Sequence, residues 1–367
     1  MEERVFFSEF RILKSPRGQQ ALVPLDTPEA LEVCGHLAEG IILNDSITIP
    51  ITGPALEIVA LIRWLGDKGF RELLDEGVLK FSFCPGILSY ISRENKKALG
   101  LKAEPGLNWL IGTDPSWESI IGAVNLALIE QLNFHISKAR RWGIIIEKNT
   151  VILPVKEIRE KVEKSFYNLA FPILESDGVK EIDDLKKLDN VQDNHLIQKL
   201  INITKANFDL SCSSVLNCSE IYGNELTWEI TQPRGIEKDS KYNLSKILEL
   251  EGIPDIHSLI VNGWPAFEVV KTRKDKHCIE FRNWLKTMPN ETDFDIAKAY
   301  CQIFKRNKSD NLMTKIIRIG IVNLLGIPSS IVGIPISIID TLWGDKLING
   351  WNPRIFIAKH FKYSDKN

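Results

Sequence analysis

The chain has 367 residues, and its 46 Lys and Arg against 48 Asp and Glu give a formal net charge of only -2. This balance argues against a protein whose binding is dominated by the electrostatics of nucleic acid. The length suits about two domains, and 44% hydrophobic with 26% charged residues is typical of a folded globular protein.

The cysteines and the N-terminus predict a cytoplasmic protein. Six cysteines in so long a chain are too few for a disulfide scaffold. The opening MEERVFFSEF begins with acidic residues and lacks the apolar stretch of a signal peptide. We therefore expect reduced thiols and a cytoplasmic location, with membrane association as the alternative.

The first 84 residues predict a parallel α/β arrangement. We expect a strand over 5–13, a helix from Pro28 to about Glu39 that ends at Gly40, and a strand over 41–52. Two helices, 55–65 and 68–76, are separated by Gly66 and followed by a strand over 78–84. Strand, helix, helix and strand in this order predict a crossover between two parallel strands. Gly53 stands alone after the second strand, so a phosphate-binding glycine loop is not indicated.

The rest of the chain reads as increasingly helical. Loop composition is expected over 93–114, a long helix over 116–141, a strand over 144–153 and a helix over 156–169. A stretch dense in Asp and Lys, 176–194, predicts a linker. Beyond it we expect a helix over 195–207, a strand over 226–230, two short helices over 243–251 and 254–261, a long helix over 265–288, and a further helix up to Phe304.

The predicted fold class is therefore mixed and helix-rich. It consists of an N-terminal α/β domain over 1–175, the charged linker 176–194, a mainly helical domain over 195–310, an apolar helical hairpin over 311–350 and a basic aromatic tail over 351–367.

Motifs for catalysis or metal binding are missing from the sequence. The six histidines form no HExxH pattern, and the close pairs Cys34/His36 and His277/Cys278 lack a second pair at ligand spacing. GxSxG is absent, and the carboxylates between 175 and 184 lie in the linker-like stretch. No metal, no cofactor and no catalytic residue is predicted, and whether the chain is an enzyme stays open, with the balance against it.

Two basic runs occur in the C-terminal half. On the helix predicted over 265–288 the cationic residues indicate a solvated face, with phosphate or anionic lipid as the alternative ligand. They are Lys271, Arg273, Lys274, Lys276 and Arg282. The second run is predicted to contact an anionic surface and consists of Lys305, Arg306, Lys308, Lys315 and Arg318.

The most unusual stretch is Ile319 to Ile339, which carries no charge. As one helix its 21 residues would span about 31 Å, enough for a bilayer core of about 30 Å. Pro328 and Pro335 interrupt it, and a proline inside a helix costs about 3 kcal/mol or more. The pattern therefore predicts a helical hairpin with amphipathic legs and an apolar tip rather than a single crossing.

The apolar tip must be buried, and the sequence is compatible with two environments, protein or lipid. The residues predicted to be inserted into a partner or a bilayer are Ile321, Val322, Leu324, Leu325, Ile327, Ile331, Val332, Ile334, Trp343 and Trp351. The first hypothesis is a non-enzymatic cytosolic interaction or structural protein whose hairpin packs internally or against a protein partner, self-association included. The alternative is a peripheral membrane effector that inserts the hairpin over 316–339 into a bilayer. A second alternative is an enzyme with a dispersed active site. Nucleic acid is not an expected partner. The sequence indicates no particular small-molecule ligand.

Overall fold

The computed structural model describes residues 4–9, 24–51, 55–91, 106–111, 117–181, 184, 194–218, 220–222 and 256–285. Within them the chain is helix-rich and contains a small parallel five-stranded sheet. The strands are β1 Arg4–Phe7, β2 Ser46–Ile51, β3 Leu79–Phe83, β4 Gly86–Ile91, β5 Gly106–Ile111, β6 Thr150–Ile152 and β7 Glu220–Tyr222. The helices are α1 Pro28–Leu43, α2 Leu56–Asp75, α3 Trp117–Leu132, α4 Ile136–Lys148, α5 Val155–Leu174, α6 Asn194–Val215, α7 Ile256–Val261, α8 Ala266–Lys274 and α9 Lys276–Leu285.

The residues fall into two compact units. The first contains 1–33 and 44–237, and the second contains 34–43 and 238–367. Helix α1 is continuous and supplies residues to both, since the division falls after Val33.

The sheet of the first unit has the order β6-β3-β2-β1-β7, and all of its neighbouring strands are parallel. The predicted crossover is confirmed: β2 and β3 pair in parallel from Ile47↔Leu79 to Ile51↔Phe83, with α2 between them. The predicted break at Gly66 is confirmed as well, because this residue has φ 71° and ψ 163° inside α2.

Helices cover both faces of this sheet. On one face Phe6 packs with Leu153, which follows β6, with Ile158 and Val162 of α5 and with Phe208 of α6. On the other face Phe81 contacts Phe70 of α2, and Phe70 in turn contacts Trp142 of α4, with ring centroids 6.2 and 5.2 Å apart. Side chains alternate along each strand, so neighbouring residues such as Phe6 and Phe7 serve opposite layers.

Polar side chains fix the pairing of α5 with α6. Asn207, almost fully buried, donates to the carbonyl of Val162 at 3.1 Å and accepts from Ser165 at 2.9 Å. Near the other end of the pair, Lys199 contacts Asp177 at 2.7 Å. Because α6 follows the predicted linker, these bonds join the segments on either side of it.

Several predicted boundaries in the first unit are wrong. Helix α1 runs through Gly40 to Leu43, so residues 41–43 are helical and β2 begins only at Ser46. The expected loop over 93–114 contains β5, which pairs antiparallel with β4. The single helix expected over 116–141 is two: Asn133 has φ 52° between α3 and α4, and His135 caps α4 by accepting from the Ser137 N–H. The strand expected over 144–153 is reduced to β6, because its first residues continue α4.

In the second unit the described helices are α7, α8 and α9 together with residues 34–43 of α1. The helix expected over 254–261 is present as α7. The long helix expected over 265–288 is interrupted at Asp275, whose ψ of 136° separates α8 from α9. The Asp275 carboxylate accepts from the His277 N–H at 2.9 Å, as an N-cap does.

Candidate functional site

The order of strands changes direction at one place in the sheet. The chain moves outward from β1 through β2 and β3 to β6, and β7 then returns to pair with the other edge of β1. In open α/β sheets, ligands bind outside the carboxyl ends of the strands where the strand order reverses. For this sheet that place is the carboxyl end of the pair β1–β7.

The longest connections of the sheet lie at its carboxyl edge. At the amino edge the strands are preceded by 44–45, 76–78, 149 and 216–219, so none of these connections exceeds four residues. At the carboxyl edge β2 and β6 are also followed by short connections, 52–55 and 153–154, but β1 is followed by residues 8–27 before α1, and β3 by 84–116, which contains β4 and β5, before α3. Residues 223–255 follow β7 before the next described helix. Long segments next to a rigid scaffold are where binding residues concentrate, which favours the carboxyl edge.

Two polar residues follow β1 at this edge. The backbone N–H and the hydroxyl of Ser8 both donate to the carbonyl oxygen of Tyr222, at 3.0 and 3.2 Å, and extend the pairing of β1 with β7. Glu9 comes next and is 8% exposed. An acidic side chain is thereby held at the point where the strand order reverses.

A second cluster lies in the other unit, where His257 of α7 stacks on His36 of α1. The ring centroids are 4.6 Å apart and the rings are inclined by 28°. Gly35 permits this approach, because a Cβ at that position would lie 2.5 Å from Cδ2 and 3.1 Å from Cα of His257. Both imidazoles are half-buried.

Helix α1 adds a carboxylate to this pair. Glu32 precedes His36 by one turn on the same helix face. It is exposed, and one of its oxygens lies within 4.8 Å of a ring nitrogen of His36. His36 and His257 likewise present nitrogens within 4.8 Å of each other. In the described parts of the chain, no other trio of His, Cys, Asp or Glu side chains brings its ligand atoms this close.

The thiols near these residues are not activated. Burial raises the pKa of Cys34 to about 12 and that of Cys278 to about 11, in spite of the lowering effect of Arg282 and Arg273 on Cys278. Thiolates, not thiols, ligate metals and attack electrophiles. Cys34 is therefore a core residue, although the sequence places it two positions from His36.

The prediction of a solvated basic face on 265–288 is wrong for two of its five residues. Arg273 and Arg282 are buried, with 7% and 9% exposure. Arg273 donates to the carbonyl of Ile41, and Arg282 donates to that of Ile42 at 3.0 Å and to that of Arg273 at 3.2 Å. Lys271, Lys274 and Lys276 are exposed. The two guanidinium groups thus bind the last turn of α1 and are not available to phosphate.

The residues singled out in the apolar C-terminal stretch, its basic flank and the tail, all between 305 and 351, lie outside the described residues. The expected strand over 226–230 and the helices over 243–251 and up to Phe304 lie outside them too. Of the helices that are described, none combines the length and the hydropathy needed to cross a membrane.

Sequence reasoning did not find the pair His36–His257. Its members are 221 positions apart, and neither belongs to a motif. The one local signal is Gly35 beside His36 inside a helix, where a glycine marks a position that another element approaches closely. No family model matches this chain, and the comparisons found neither a similar curated protein nor a similar solved structure.

Proposed function

We propose that the first unit binds a small polar ligand at the carboxyl edge of its sheet, beside β1 and β7. The observation that carries this proposal is the strand order β6-β3-β2-β1-β7, which reverses at β1. The long segments that leave the same edge, 8–27 and 84–116, support it. The proposed role is the binding of a small molecule, for which the sequence alone indicated no particular ligand.

Glu9 suggests the chemistry of the ligand. An acidic side chain at the end of a parallel strand accepts hydrogen bonds from hydroxyl or amino groups, as the acidic residue of dinucleotide-binding folds does from a ribose. Neither the segment after β1 nor that after β2 carries a glycine-rich turn, so recognition of a pyrophosphate is not expected. The ligand class that fits is a polyol, a nucleoside or an amine.

Thermal unfolding of the full chain in the presence of nucleosides, sugars and amines tests this proposal. A ligand at about 100 times its Kd stabilises the folded state by about 2.7 kcal/mol. For a domain of 150–250 residues this shifts Tm by about 5–10 °C. Glu9→Gln should weaken binding of the ligand about 10- to 150-fold, because the lost charge-assisted hydrogen bond is worth about 1.5–3 kcal/mol.

The matched control is Glu76→Gln, the same substitution in an exposed residue at the amino edge, between α2 and β3. It should leave the affinity unchanged. The proposal fails if no compound of these classes shifts Tm, or if Glu9→Gln binds the ligand as tightly as the unaltered chain does.

As a second function we propose the interaction role expected for the C-terminal hairpin over 311–350, packed internally or against a protein partner. Insertion into a bilayer is the alternative. The observation behind it is the charge-free run Ile319–Ile339 with its prolines at 328 and 335. A charge-free run of this length needs an apolar environment, and large exposed apolar patches are typical of interaction sites.

Flotation with anionic vesicles separates these two surroundings. The full chain is compared with Ile331→Asp at the predicted tip and with the control Val151→Asp, which replaces an exposed valine of β6. If the full chain stays in the soluble fraction and Ile331→Asp aggregates or unfolds, the hairpin is covered by protein. Vesicle binding that only Ile331→Asp loses supports the bilayer instead.

A further inference from the structure

We propose that His36, His257 and Glu32 bind a divalent transition-metal ion, of the zinc class. This site consists of residues of α1 and α7 and does not depend on the function proposed above. Three features support this site: the close approach of the two helices, the distances between the ligand atoms and the chemistry of the donors.

The close approach brings the two imidazoles together. Helix α7 reaches α1 at Gly35, where any side chain would collide with the ring and the Cα of His257. The ring of His257 is thereby placed against the next residue, His36, at 4.6 Å between centroids. Nε2 of His257 is shielded from solvent. Neutral imidazole is the commonest metal ligand in proteins, and two imidazoles held against each other offer two such nitrogens.

The distances are within reach of coordination. Zinc binds imidazole nitrogen at about 2.0–2.1 Å in a tetrahedral arrangement, which separates neighbouring ligand atoms by about 3.3 Å. The ligand atoms of His36 lie within 4.8 Å of those of His257 and of Glu32. Rotation of the exposed Glu32 side chain and a tilt of the stacked rings close the remaining gap of about 1.5 Å or less.

The donors select the class of metal. Two imidazoles and one carboxylate form a three-ligand set found in zinc sites that keep a fourth position for water. Imidazole donors also suit copper and nickel, whereas magnesium and calcium prefer sites made only of oxygen. Because Glu32 is exposed and both histidines are half-buried, the fourth position faces solvent.

Titration of the chelator-treated full chain with Zn²⁺, followed by calorimetry, tests the proposal. Co²⁺ serves as a second probe, because its visible absorption reports the coordination geometry. We expect one ion per chain. Outer-shell partners of a metal change affinity by 10–100-fold, so the loss of a direct ligand in His36→Gln or His257→Gln should weaken binding at least about tenfold and reduce the Co²⁺ absorption.

His277→Gln is the matched control, since His277 belongs to the same unit and lies 3.5 Å from the carboxylate of Glu280. It should bind Zn²⁺ as the unaltered chain does. Glu32→Gln guards against loss of folding, because Glu32 is exposed and its substitution leaves the packing of the imidazoles intact. No stoichiometric Zn²⁺ binding, or full affinity in Glu32→Gln or in His257→Gln, would overturn the three-ligand site.

Discussion

Replacement of Arg282 by methionine should destabilise the second unit. The last four carbonyls of a helix have no partner within the helix, and α1 carries no basic residue in its own last turn. Arg282 supplies the missing donor for Ile42 at 3.0 Å and also donates to Arg273 at 3.2 Å. Methionine keeps much of the apolar stem but removes both hydrogen bonds and the charge that complements the helix dipole.

The magnitude follows from the acceptors left behind. Ile42 retains a thiol contact from Cys278 at 3.7 Å, and such a donor is weak. A buried acceptor without a good partner costs about 1–3 kcal/mol, so two of them cost about 2–6 kcal/mol. Removal of a buried cation recovers part of this, because its desolvation is no longer needed. We expect a net loss of about 2–4 kcal/mol, a large fraction of the 5–15 kcal/mol that is usual for a domain.

Hydrogen exchange is the appropriate assay, because a chain with two units need not unfold in one step. Amides of residues 38–43 should exchange faster in Arg282→Met by a factor of about 30 or more, which corresponds to about 2 kcal/mol. The control Arg140→Met replaces an exposed arginine of α4 and should leave these amides unchanged. Equal protection in Arg282→Met and the unaltered chain would refute the capping argument.

Two further predictions concern the same unit. Gly35→Ala should lower the stability of this unit by about 1–3 kcal/mol, because the new methyl group collides with His257. The control Gly122→Ala in α3, where a Cβ meets nothing within 4 Å, should stabilise the folded chain by about 0.5–1 kcal/mol. Thermal unfolding of both variants measures these two effects. The thiols of Cys34 and Cys278 should resist alkylation at pH 8 in the folded chain and react after unfolding. Alkylation of the folded chain at pH 8 would be the contrary result. Burial raises the pKa of Cys34 from 9.0 to about 12 and that of Cys278 to about 11. The free energy of unfolding measured against pH should therefore contain the full contribution of these thiols below pH 9 and lose it as the pH rises toward 11–12.

Much of the first unit could be predicted because its signals are local. Gly66 adopts a positive φ that other residues avoid, and it separates two helical runs as expected. The crossover from β2 to β3 followed from element order alone. By contrast, β5 and the reversal at β7 depend on pairing between distant segments, which no local pattern contains. The break between α3 and α4 has a local cause, the positive φ of Asn133, but asparagine is only one of several residues that tolerate that conformation.

The same distinction applies to the candidate sites. Glu9 has an ordinary sequence context, and its interest arises only because β7 returns to the edge of β1. His36 was noted beside Cys34, but Cys34 is 1% exposed in the core, and the side chain that stacks on His36 is His257. The residues that matter at both sites are made neighbours by the fold, at separations over which spacing patterns carry no information.

Helix α1 continues past Gly40, the residue at which the sequence predicts its end. Gly40 indicates a helix end because a glycine within a helix costs about 1 kcal/mol relative to alanine. Continuation of the helix buries Ile41, Ile42 and Leu43 to 1% exposure or less, and full burial of each such side chain contributes about 1.5–3 kcal/mol. The carbonyls thereby exposed at the new end are bonded by arginines more than 230 positions later. The burial of these three side chains outweighs the cost of Gly40 several-fold. The helix therefore continues past Gly40 and ends where Arg273 and Arg282 donate to its last carbonyls.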